Sequence, residues 1–149
     1  MHEKQRVAIN QFIAAVRGLK DANVIRSHRY LGDLAEFLCA DRVKVNLSTN
    51  LREVGHDGMR ETLRAQIKYG GGKKTNMDLG DPSKYEEIYI VLGKESVIRK
   101  HACDADFQIY KFTSAQVFAM GKNGKGGYSC GPIHFRRPPD ERIFINDVL

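Results

Sequence analysis

Partway along the chain the apolar residues stop recurring every third or fourth position and begin recurring every second one. That switch limits the folds open to it. From Glu3 to Leu19, Ile9, Phe12, Ile13, Val16 and Leu19 keep helical spacing. They predict an amphipathic helix with one buried stripe, ended by Gly18 and the turn Asp21-Ala22-Asn23. A second helix is expected over SHRYLGDLAEFLCADR, with Ser27 capping its start and Leu31, Leu34, Ala35 and Leu38 on one face. After residue 42 the period is two. KVNLSTN reads as a strand, GHDGM and LRAQIKY as hairpin arms turning near Arg60-Glu61-Thr62, and YEEIYIVLG as a buried strand. SVIRKHA and DFQIYKF read as two more strands. TSAQVFAM reads as a short helix capped by Thr113 or Ser114, and Pro138-Pro139 interrupts the closing segment. Helices first, a strand meander next and a small helix later imply an α/β fold: a mixed β-sheet flanked by α-helices.

At 149 residues the chain suits one domain with its own core, and no repeat or linker divides it. No segment approaches the roughly 18 apolar residues of a membrane span. Cys39, Cys103 and Cys130 are odd in number and widely spaced, which argues against a disulfide framework and fits a reducing compartment. A cytoplasmic protein without an anchor is expected. The net charge of +6 and pI near 9.3 suit a polyanionic partner better than a neutral metabolite.

The stretch GHDGMRETLRAQIKYGGGKK, residues 55–74, departs from plain sheet alternation. On a strand Gln66 and Lys68 point the same way, roughly 6–7 Å apart, with Arg64 on that face and Ala65 and Ile67 on the other. If the hairpin pairs as expected, Asp57 comes beside Gln66 and Lys68. A hard divalent cation takes oxygen ligands, which the Asp57 carboxylate, the Gln66 amide and a carbonyl near Ile67 could supply. Lys68 would help position a water and stabilise charge developing on phosphorus. On the second helix Glu36 borders the apolar stripe, next to Gly32 and Arg29, and can reach a cleft at the sheet end, whereas Asp33 lies further into solvent.

Asp57, then Gln66-Ile67-Lys68, preceded by the GDLAEFL helix with Glu36, resembles the PD-(D/E)xK nuclease superfamily, in particular its restriction-endonuclease-like members that read D…QxK. The resemblance runs from about His28 to Val117. It implies a restriction-endonuclease-like core of αβββαβ type and Mg²⁺- or Mn²⁺-dependent hydrolysis of phosphodiester bonds in DNA. It makes Asp57 the main metal ligand, Gln66 the occupant of the second-carboxylate position, Lys68 the catalytic lysine and Glu36 an accessory ligand or water-positioning group. His56 stands where a proline is common, and Gln66 brings less charge to a cation than Glu or Asp would.

Other cations can serve a nucleic acid. Lys73 and Lys74 follow the glycine run after the QIK strand, next to the expected metal site, and Arg64 shares the strand face. GKNGKGG, residues 121–127, lacks the GK[ST] ending of a nucleotide-binding loop and reads as a mobile basic loop whose Lys122 and Lys125 can touch DNA. Arg136-Arg137, Arg99-Lys100 and the strand entry Glu86-Glu87 read as solvated surface. His101-x-Cys103 and Cys130-x-x-x-His134 lack the spacing of a common zinc module. His56 is expected to face away from Asp57, and Tyr89, Tyr110, Phe112 and Phe118 have core spacing. Cutting both strands needs two sites, so a homodimer on DNA is expected, with RNA the other polyanion open to it. The alternatives are a nuclease-fold binding module without turnover, as a subunit of a defence or repair assembly, and an unrelated metabolic hydrolase.

Overall fold

A computed structural model of the chain describes residues 1–22, 30–49 and 55–145. The first helix, α1, spans Glu3–Asp21 and the second, α2, Leu31–Val43; the Ser27 cap and Arg29 lie outside the described residues. Strands follow as β1 (Asn46–Leu47), β2 (Gly58–Arg60), β3 (Leu63–Gly70), β4 (Met77–Gly80), β5 (Glu87–Gly93) and β6 (Phe107–Thr113). A short helix α3 (Ser114–Ala119), β7 (Tyr128–Cys130) and β8 (Glu141–Ile143) complete the order. Single 3₁₀ turns stand at Pro82–Lys84 and Pro132–Phe135.

Six strands form one mixed sheet in the order β1-β2-β3-β5-β6-β8, in which only β3 and β5 run parallel; β4 and β7 form a separate antiparallel pair. The described residues therefore form an α/β architecture with a mixed sheet and three α-helices. The β5 sequence EIYIVLG is buried throughout because both faces of this central strand are covered. Tyr89 and Val91 pack with Ala65, Ile67 and Ile109 against Ile9 of α1 and Leu34, Ala35, Leu38 and Cys39 of α2. Ile88, Ile90 and Leu92 pack on the opposite side with Leu79, Tyr85, Val117, Cys130 and Phe135. Both long helices thus lie on one face, while α3, the small β4–β7 pair and the 3₁₀ turns cover the other.

Several expectations are corrected. SVIRKHA is not a strand: Ser96 N–H bonds to Gly93 O and Arg99 N–H to Ser96 O as successive turns, and the Arg99 guanidinium ties to the carbonyls of Cys103 and Ala105. Arg99 is therefore a loop staple instead of a solvated cation. KVNLSTN shortens to the two residues of β1. Glu86-Glu87 is no solvated entry, since Glu87 is only 3% exposed and Glu86 is bound by Arg64. Phe118 is 47% exposed, outside the core, and meets Tyr128 edge-on with centroids 5.5 Å apart. Between β3 and β5 the chain passes through β4 and a 3₁₀ turn, where an αβββαβ core has a helix.

Candidate metal and phosphodiester site

The β2–β3 hairpin turns through Glu61-Thr62 and pairs Arg60 with Leu63 and Gly58 with Ala65; Asp57 then bonds Ala65 as well, one residue out of that register. Asp57 N–H donates to Ala65 O at 2.8 Å, the last rung made by main chain alone. Continued antiparallel pairing would bring the Gly55 carbonyl to Ile67 N–H. Gly55 instead turns the chain away at φ +90°, a conformation that a side chain disfavours, and a Cβ there would stand 2.5 Å from Lys84 Cβ. The Asp57 carboxylate fills the vacated rung: Oδ2 accepts from Ile67 N–H at 2.6 Å and from Gln66 Nε2 at 2.7 Å. The acid is thereby fixed where the two strands part.

Alternation sends Ala65 and Ile67 to the helix-covered core and Gln66 and Lys68 to the other face, beside Ile88 and Ile90 of β5. Asp57, Gln66, Lys68 and Glu36 are each half-buried. Burial pushes the Asp57 carboxyl above its usual range, against the Ile67 hydrogen bond and the nearby charges of Lys68 and His56. His56, the preceding residue, is thus within electrostatic reach of Asp57. Burial and the Asp57 charge, followed by Asp33, raise Glu36 as well. Cys39, on the same helix, is pushed to about 12 by burial and by the charges of Asp57 and Glu36. Asp57 therefore feels Lys68, while its own charge acts on Glu36 and Cys39 of α2; Lys68 is not among the charges that act on Glu36.

The donor set suits a hard cation. Asp57 Oδ1 has no hydrogen-bond partner among the described residues, and a divalent cation would relieve the repulsion between Asp57 and Glu36. Gln66 faces Asp57 with its amide nitrogen, so its oxygen becomes a ligand only after the amide turns over. No three His, Cys, Asp or Glu side chains gather as a metal cage among the described residues. Of the cysteines and histidines with a zinc-like spacing, Cys103 Sγ accepts from Gln108 and His134 Nδ1 pairs with the Gly131 backbone.

Of the expected nucleic-acid contacts, Lys73, Lys74, Lys122 and Lys125 are exposed and make no ion pair among the described residues. Arg64 is committed elsewhere, donating to both Glu86 carboxylate oxygens and to Ser83 O. The 121–127 loop is a hydrogen-bonded turn: Asn123 N–H reaches Gly127 O, and Asn123 Oδ1 accepts from Lys125 and Gly127 N–H. Sequence reasoning missed a second polar cluster, in which Glu87 accepts from Arg60, Lys111 and the Tyr89 hydroxyl. No described helix is long and apolar enough to cross a membrane. The chain matches no family model, and no curated protein matches it.

Proposed function

We propose that the chain is a PD-(D/E)xK-type nuclease that hydrolyses phosphodiester bonds in DNA with Mg²⁺ or Mn²⁺. The observation that carries this reading is the Asp57 carboxylate, held at the parting of β2 and β3 by Ile67 and Gln66, within electrostatic reach of both Lys68 and Glu36. The order of α2, β2 and β3 in a mixed sheet supports it.

Asp57, Glu36 and the turned Gln66 amide would hold the cation, which supplies Lewis-acid stabilisation of phosphoryl oxygens. Lys68 favours the charged form of Asp57 against burial and offers its ammonium to the charge that grows on those oxygens. Glu36, its carboxyl pushed above the usual range by burial and by the Asp57 charge, would orient the attacking water and accept its proton. Exposed Lys73 and Lys74, just beyond β3, would hold the phosphate backbone beside the site. Two copies of the chain, one site per strand, would complete a double-strand break.

Purified protein with Mg²⁺ or Mn²⁺ is expected to nick supercoiled plasmid, with Asp57→Ala and Lys68→Ala inactive. Equal nicking by either variant removes the proposal. The second reading, a binding module without turnover, is favoured by the Gln66 amide, which occupies Asp57 as a donor. DNA binding that persists in EDTA, with no cleavage in any divalent metal, would select it.

A further inference from the structure

Past Lys68 the same face of β3 runs into a cavity of about 130 Å³. Gln66, Lys68 and Gly70 alternate onto that face, so the cavity begins roughly 7 Å beyond the lysine. Gly70 and Gly71 line it, and Met77 and Leu92 pack directly against the bare backbone at position 70. A Cβ there would stand 2.5 Å from Met77 Cε and 2.6 Å from Leu92 Cδ2. Met77 and Ile98 contribute apolar surface, and Lys74, Asn76 and Asp78 contribute polar atoms.

The lining selects its occupant. A phosphate is disfavoured by the Asp78 carboxylate, although Lys74 alone would welcome one. A flat neutral ring fits both requirements, lying against Met77 and Ile98 while its edge meets Asn76 and Asp78. Asp78 Oδ1 accepts from Gly80 N–H at 3.0 Å, which fixes the carboxylate, and Oδ2 has no partner among the described residues. We infer that this cavity receives the base of an unpaired nucleotide next to the scissile phosphate and prefers bases that carry an exocyclic amino group. Cytosine, adenine and guanine present N–H₂ donors to Asp78. Thymine presents its single N–H between two carbonyls, which the carboxylate repels. A base stacked in a duplex reaches the cavity only after extrusion, so single strands bind better. The inference rests on the nucleic-acid reading above and adds to it a strand state and a base preference.

The test is fluorescence anisotropy in EDTA with labelled oligo(dC), oligo(dT) and a mixed-sequence duplex, independent of any metal chemistry. Oligo(dC) is expected to bind about tenfold tighter than oligo(dT), the range of a hydrogen bond to a charged group. Asp78→Asn should erase the difference. Asn76→Trp, at an exposed position that the fold tolerates, should block the cavity and weaken single-strand binding by about tenfold while sparing the duplex. Equal binding of oligo(dC) and oligo(dT) by the wild type, or single-strand binding untouched by Asn76→Trp, overturns the inference. Absence of binding to all three probes overturns it together with the nucleic-acid reading. A base preference in a protein that never nicks plasmid would retain the cavity's role and sink the nuclease alone.

Discussion

Gln66 decides how much charge a cation finds beside Asp57. Its amide nitrogen donates to Asp57 Oδ2 at 2.7 Å, so a glutamate in its place would set a second carboxylate against the first. Asp57 and Glu36 already carry raised pKa values, and a third acid adds to the same repulsion. Gln66→Glu is therefore expected to lose about 1–3 kcal/mol without metal at pH 7, for the lost hydrogen bond and the added charge. A cation reverses the sign, because three carboxylates bind it more tightly than two and an amide. Thermal melts should show a lower midpoint for Gln66→Glu in EDTA and a larger rise with excess Mn²⁺ than the wild type gives. A variant as stable as the wild type in EDTA, or indifferent to Mn²⁺, would remove the metal from this site. That Asp57 meets Gln66 was legible in the sequence because a short turn sets the hairpin's two arms side by side. The direction of the Gln66 amide was not, since it depends on the Ile67 N–H that Asp57 also takes.

At the scale of elements, the parting of β2 from β3 makes the site, and Gly55 makes the parting. Its φ of +90° turns the chain off the ladder and frees Ile67 N–H for Asp57. Gly55→Ala combines an unfavourable backbone with a Cβ 2.5 Å from Lys84 Cβ, and is expected to cost about 2 kcal/mol. Because strain acts where Asp57 is held, nicking should fall more steeply than the loss of stability explains, which chemical denaturation and plasmid assays on the same sample would separate. The long elements were readable: α1, β3, β5 and β6 carry five or more periodic residues each. Three others were not. The strands β4, β7 and β8 span three or four residues, and β4 pairs with β7 across about fifty intervening residues, a pairing no local pattern announces. SVIRKHA fails as a strand because the Arg99 guanidinium finds two carbonyls in its own loop and closes it.

At the scale of the whole molecule, one buried charge joins four strands. Glu87 on β5 accepts from Arg60 on β2 and Lys111 on β6, with Tyr89 on its own strand, beside Ala65 of β3. Burial alone would push its carboxyl up, but hydrogen bonds from Arg60, Lys111 and Tyr89 outweigh it and hold the pKa at about 2. A carboxylate lowered on folding contributes stability that is complete above its ordinary range near 4.5 and lost as the pH falls toward about 2. Glu86, held at about 2 chiefly by the Arg64 side chain, titrates in the same window but is 38% exposed, so water screens most of its effect. Glu87→Gln leaves two cations with one neutral acceptor and should cost about 3 kcal/mol at pH 7. The difference from the wild type should shrink as the pH drops from 4.5 to about 2, because protonation removes the charge from the native residue as well. Urea midpoints for both proteins across that range would show it. A gap that stays constant with pH would mean that Glu87 acts by shape alone. Asp57, Gln66 and Lys68 are not among the cluster's partners, so metal binding measured at pH 7 should survive the change as long as the sheet does.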